Sequence, residues 1–406
     1  MFSAVHSDRS GRIVLAADYA AAMSDGVSDR PLARVLPLPD GAEVVALPAR
    51  GAIGLDRSGR PRPLGGGRLA VGAILPLGYL RTGLPAYAED PGAAPLAPRA
   101  YTAVGADANG ELVVSGAVIE PAARADAADL QTKLNAALRE YPSNRIVKQL
   151  ARCAKEYRCR AATNAFFHVQ DCALPVAAPG NERPPEIIAL RDEGDASPTE
   201  PAAFHPTAAE IADVAVAHLD GGGRLVAFGR ACEGEPLLDT RLIEAAIGAI
   251  RKRTARGIVH LETNGSLPLA LRRVCDAGLD SVTFRLASAR SETYDALHRP
   301  DGYRYIDVRA SIAEAISRKI AVAIALLVLP GLTDREVELD AIVALAGELP
   351  EGSALLLRGL AADPQRALHL VRATEDAVGL EPALERLRAD ASHVRIGALP
   401  RPAVQV

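Results

Sequence analysis

The 406-residue chain has no tryptophan and only two methionines. Arginine far outnumbers lysine. Both biases read as genome base composition and carry no chemistry. Cysteine is scarce: five residues, an odd number in a long chain, which argues against a disulfide framework. No apolar run is long. The longest, IAVAIALLVLPG, is too short to span a bilayer and ends in Pro-Gly, so it predicts a buried strand. The start, MFSAVHSDRSGR, lacks the basic-then-apolar pattern of a signal peptide, so a cytoplasmic location is expected. Neither charge dominates. The formal net charge is −4 with both signs interspersed, which gives no electrostatic case for nucleic acid or an anionic membrane. Also missing are a Gly-rich phosphate loop, zinc-ligand spacing and a nucleophile elbow.

What is present is an ordinary globular mixture, 49% hydrophobic and 24% charged, long enough for a large and a small domain. Residues 1–118 are rich in Gly and Pro, with short β-type runs (RIVLAADY, AEVVALPA, LAVGAILPLGYL, ELVVSGAVI). They predict a small β-rich domain. Residues 119–163 take on helical apolar spacing broken at Pro142, a connector of two helices. From 164 to 406 strand and helix alternate, ending in a helical segment. The expected strands are AFFHVQ (165–170), RLVAFG (224–229), GIVHLE (257–262), SVTFRLA (281–287), AVAIALLVL (321–329) and ALLLRGL (354–360). Thr207 with Glu210, and Thr333 with Glu336, match helix capping boxes. The class is therefore α/β, with a parallel sheet covered by helices. Periodicity leaves open whether the sheet is doubly wound or a partial barrel.

In either case chemistry collects where strands end and loops begin. After the second strand comes GRACEGEPLL, where Glu233 and Glu235 could hold a ligand ammonium and Gly234 allows close backbone approach. After the third comes Thr263-Asn264-Gly265, and after the fourth ASAR with Ser288. Taken singly, each is most simply a turn. His298 and Arg299 read as a solvated surface pair, and His168 as a core histidine rather than an acid–base partner of Asp171.

Together these pieces resemble the radical SAM superfamily. The resemblance rests on Gly234-Glu235-Pro236, Thr263-Asn264-Gly265, AGLDSVTFRLASAR across strand four and PGLTD after strand five. It extends to a subgroup with a β-rich N-terminal domain, through the phrases GYLRTGLPAY and CAKEYRC. It implies a partial (β/α)6 TIM-like barrel, S-adenosylmethionine and a [4Fe–4S] cluster. In its terms Glu233, Gly234, Glu235, Pro236, Thr263 and Asn264 would line the cofactor site. The Gly-Glu-Pro segment would hold the methionine amino group, and Ser288 would lie near its carboxylate or ribose.

The departure lies in DCALPVAAPGNERPPE (171–186), where such enzymes carry CxxxCxxC. Counted without gaps from Pro175-Val176, the three cysteine positions become Gly180, Pro184 and Ile187, none of which has a ligating side chain. Ala287, Ala325, Leu326, Gly359 and Ala361 also stand where polar groups are expected. Three readings follow. The chain is a degenerate, non-catalytic binding or partner protein, whose partner is a protein or small molecule. Or it is an active enzyme with a cluster on Cys153, Cys159 and Cys172. Or it is an iron-free enzyme using S-adenosylmethionine or another small ligand. Cys232 and Cys275 read as structural.

Overall fold

The computed structural model describes residues 2–94, 96–97, 99–121, 128–176, 179–185, 200–361, 364–372 and 377–399. Ile187 lies outside them. The N-terminal part is a 12-stranded, antiparallel sheet built from the β-type runs. Strand Ser3–Ser7 is central and pairs with Ile13–Ser24, Leu69–Ile74 and Tyr101–Ala106. The strands alternate small buried residues with polar turns, so the cores here are small clusters of Ala, Val and Leu.

Helices α1 (Leu130–Glu140), α2 (Arg145–Glu156) and α3 (Arg160–Phe167) follow. Asn144 caps α2 by accepting from the N–H groups of Ile146 and Val147. The third helix corrects the expected strand at 165–170. AFFHVQ is the end of α3, which stops at His168 in the left-handed region (φ 52). Strand β1 is instead Asp171–Leu174.

Strands β1, β2 (Leu225–Phe228), β3 (Ile258–Thr263), β4 (Ser281–Ala287), β5 (Ala321–Val328), β6 (Ala354–Gly359) and β7 (Arg395–Gly397) pair in chain order, all parallel. Seven strands replace the six expected. Helices α4 (Ala208–Asp220), α5 (Thr240–Arg251), α6 (Pro268–Asp276), α7 (Ser291–His298), α8 (Tyr305–Ser317), α9 (Glu336–Gly347), α10 (Pro364–Val371) and α11 (Leu380–Asp390) complete the α/β unit. The Thr207–Glu210 capping box forms on α4. The one expected at Thr333 does not. Thr333 is buried, donates to the Leu327 carbonyl and accepts from Leu329 N–H, while α9 begins at Glu336.

Side chains alternate along the parallel strands. Val282, Phe284 and Leu286 of β4, and Ile324, Leu326 and Val328 of β5, join the core shared with the helices. The opposite faces carry Thr283 and Arg285, with Ala323 and Ala325. Of the positions expected to be polar, Leu326 therefore belongs to the helical layer and Ala325 to the inner face. The N-terminal sheet packs on the strand ends. Leu84 enters an apolar cluster with Leu327, Leu329, Leu360 and Leu368. Gly26, at φ +93, lies so close that a Cβ there would sit 2.6 Å from Leu368 Cδ1.

Candidate functional site

The strand ends of β1 to β4 hold a buried polar network, and the segment 179–183 runs through it. The Pro179 carbonyl accepts from Glu235 N–H at 3.0 Å. Gly180 packs on Gly234 so closely that a Cβ on Gly234 would lie 2.3 Å from Gly180 N. The Asn181 amide donates to Ser266 Oγ (3.0 Å) and accepts from Asn264 Nδ2 (2.8 Å), and its backbone carbonyl accepts from Asp301 N–H. Glu182 is 4% exposed. It accepts from Arg285 Nη2 (3.1 Å) and Tyr303 Oη (3.0 Å), and its Oε2 lies 2.7 Å from His298 Nδ1. Burial alone would raise the Glu182 carboxyl. The charge and hydrogen bond of His298, with those of Arg285, reverse this and pull it down to about 2.

The residues predicted from the sequence meet here, except one. Glu235 is fully buried. One oxygen accepts from Thr263 Oγ1 (2.5 Å) and Leu237 N–H (3.0 Å), the other from Asn264 N–H (2.9 Å) and Arg285 (3.4 Å). Burial raises its pKa despite Arg285. Glu233 accepts from Val176 N–H (2.6 Å) and Gly229 N–H (3.2 Å). Pro236 opens a short 3₁₀ turn and is buried. Ser288 belongs to a separate group, its hydroxyl donating to Glu338 (2.6 Å), which also accepts from Thr293 (2.5 Å) and Arg335 (3.1 Å).

Deeper in the barrel Glu262 forms a two-armed pair with Arg358 (2.6 and 2.8 Å), and Arg230 reaches Asp171 (3.2 Å). Burial would raise Glu262, but the Arg358 charge and hydrogen bonds hold it well below the carboxylate range. Burial presses His260 down to about 3, so it is neutral. His298, expected to be solvated, is instead fully buried, stacked on Tyr294 at 4.0 Å. Arg299 is exposed, as expected. His168 does not pair with Asp171; it lies by His218, and Asp171 accepts from Asn164. Glu182, Arg285, His298 and Tyr303 were missed as site residues. Their only sequence signal was polar character beside or within apolar strands and helices.

The cysteines do not assemble as proposed. Cys172 is fully buried in the core shared with the helices, where burial pushes its thiol far up. Cys153 and Cys159 do approach, with Cys159 N–H donating to the Cys153 carbonyl across the α2–α3 break. Burial, then Cys159 and Cys232, raise the Cys153 thiol to about 11. Cys232, and not Cys172, is among the groups that act on the Cys153 thiol. Cys275 is buried on α6. Among the described residues, no group of three His, Cys, Asp or Glu side chains could hold a metal ion. Gly180 is exposed and Pro184 buried, and neither offers a ligand atom in its side chain. Among the described residues, those at the expected cluster positions offer no thiolate for an iron–sulfur cluster.

Residues 184–341 match the model of the radical SAM superfamily. This stretch is a radical SAM domain. The match begins at Pro184, beyond Gly180. Among solved structures, the chain is similar to the FeFe-hydrogenase maturase HydG from Carboxydothermus hydrogenoformans, at 14% identity over 66% of this chain and 70% of that one, TM-score 0.42. It is similar to anSMEcpe with bound AdoMet, at 14% identity over 56% and 64%, TM-score 0.42. Methylornithine synthase (PylB) follows at 12% identity over 70% and 86%, TM-score 0.38. No curated protein matches the chain in sequence. Among the described residues, no helix is long and apolar enough to cross a membrane.

Proposed function

We propose that the chain is a degenerate radical SAM-fold protein, a non-catalytic binding or partner protein that makes no use of a [4Fe–4S] cluster. One observation carries this reading. The segment 179–183, which stands where the cluster loop is expected, supplies Pro179, Gly180 and Asn181 to the groups the resemblance assigns to S-adenosylmethionine, while Glu182 binds Arg285, His298 and Tyr303 beside them. Gly234, Glu235, Thr263 and Asn264 have their polar atoms or close contacts taken by the protein itself. A ligand entering here would have to displace hydrogen bonds to fully buried carboxylates, each costly to leave unmade. The loss of thiolates and the filling of the cofactor end by a carboxylate support each other.

The test is iron and acid-labile sulfide content after anaerobic reconstitution, with equilibrium dialysis of S-adenosylmethionine. No iron in folded, monodisperse protein and no saturable binding of the nucleoside are expected. About four irons per chain, the content of one [4Fe–4S] cluster, would overturn the proposal and make Cys153, Cys159 and Cys232 the first ligands to substitute. Saturable S-adenosylmethionine binding without iron would overturn the filled-site reading, and turnover of the bound nucleoside would then favour an iron-free enzyme.

A further inference from the structure

Away from the barrel network, the phrase GYLRTGLPAY (78–87) builds one wall of a cavity. The cavity, of about 270 Å³, lies between the N-terminal sheet and the start of α10. Four residues of the phrase line it, namely Arg81, Leu84, Pro85 and Tyr87, and Pro364 faces it from the barrel side. The volume is just below the roughly 300 Å³ at which small-molecule pockets begin.

Arg81 is the anomaly. It is 3% exposed. Its Nη1 donates to the Tyr101 carbonyl at 3.1 Å. Its Nε and Nη2 are buried and have no hydrogen-bond partner, and no carboxylate among the described residues forms an ion pair with it. Burying a guanidinium without a counter-charge is strongly unfavourable, and such charges in folded proteins are paired. The other cavity charges are accounted for. Arg50 donates to the carbonyls of Pro48 and Ala94 and meets Glu89 at 3.4 Å. Arg99 pairs with Glu43 at 2.9 Å. Asp29 is raised by burial and by Asp25, so it already resists a negative charge. One positive charge is left over, and burial lowers the pKa of Arg81 to about 10, so it remains charged at neutral pH.

We propose that this cavity is a binding site for a small monocarboxylate with an apolar body. Arg81 lines the cavity, and its Nε and Nη2 are the edge of a guanidinium that takes a carboxylate two-handed; a ligand reaches that covered edge when the side chain turns it into the cavity. Leu47, Leu84 and Tyr101 supply apolar surface for the body. Glu89 and Asp29 disfavour a dianion, which selects against phosphate. The site spans the sheet and the barrel, so its occupant ties the two together. It does not depend on the state of the cluster or of the S-adenosylmethionine site.

The experiment is calorimetric titration of the full chain with benzoate, hexanoate and inorganic phosphate, repeated on Arg81→Met and Arg81→Lys. Saturable, millimolar-or-better binding of benzoate or hexanoate is expected, weakened at least about tenfold in both variants, the loss of one two-handed charged contact. Arg81→Met should melt at or above the wild-type temperature without ligand, because it removes an unpaired buried charge; a merely structural arginine would lower it. Absence of carboxylate binding by the wild type, unchanged binding in Arg81→Lys, or binding of phosphate alone would each overturn the assignment. If Arg81→Met fails to fold, the wild-type and Arg81→Lys titrations still decide.

Discussion

Glu182 decides more than any other residue, and nothing near it in sequence announces it. It sits in a Pro- and Gly-containing loop, and its partners Arg285, His298 and Tyr303 lie 103, 116 and 121 residues away. Composition and spacing report local pattern, so a bond of that range cannot be read from them. Glu233, Glu235, Thr263 and Asn264 were legible because each follows a strong strand and precedes a helix, where turn chemistry is local. Glu182→Gln should cost about 3 kcal/mol, because it leaves Arg285 buried with less counter-charge; urea midpoints measure it. The pH dependence has a definite sign. The Glu182 pKa is depressed in the folded protein to about 2, below its unfolded value of about 4.3. Its contribution is complete above the unfolded value and is lost as pH falls from there towards 2. The stability gap between wild type and Glu182→Gln should therefore narrow across that window. A gap that stays constant from neutral pH to pH 3 would mean that the carboxylate is not held by these partners.

At the level of elements, the strong periodic segments were legible and the short ones were not. Strand β4 falls where expected because seven apolar-rich residues lie between Asp280 and Ser288. AFFHVQ failed because a short apolar run fits a buried strand and a buried helix turn alike. Here Ala162, Ala165 and Phe166 share a buried face, and tertiary packing settles the choice as helix. Strand β7 has only three residues and no pattern to show. The two Thr-to-Glu spacings separate cleanly. Thr207→Ala removes a true cap and should cost about 1 kcal/mol, with little beyond the loss of the α4 end. Thr333→Val should cost more, about 1–3 kcal/mol, since it strands the buried Leu327 carbonyl and Leu329 N–H. Thermal melts of both variants check the order. Equal losses would return Thr333 to the capping role that the sequence suggested. Gly234→Ala belongs to the same scale, because its Cβ has room only if 179–183 moves. It should expose that segment to hydrogen exchange while the strands on either side stay protected.

Across the whole molecule, two sheets of different construction meet over an apolar cluster around Leu84, and Leu80 of the N-terminal sheet joins the barrel core beside it. The N-terminal sheet contributes Leu84 and the barrel contributes Leu327, Leu329, Leu360 and Leu368. The fold class was legible because alternation of period two and of strand with helix differ plainly along the chain. The junction was not, since Leu84 is one leucine in a Gly- and Pro-rich phrase and meets residues more than two hundred positions away. Leu84 is 3% exposed, so Leu84→Ala opens a cavity worth about 2–5 kcal/mol. That loss falls on a contact that couples the two sheets, not on either alone. Wild type should unfold in one transition by calorimetry, and Leu84→Ala in two, with the N-terminal sheet melting first because its cores are small clusters of small side chains. A single transition shifted as a whole would mean that the other contacts between the sheets, Leu80 in the barrel core and Glu120 with Arg395, suffice to couple them. Leu84 also lines the arginine cavity, so a carboxylate seated on Arg81 should bring the two transitions of the variant closer together.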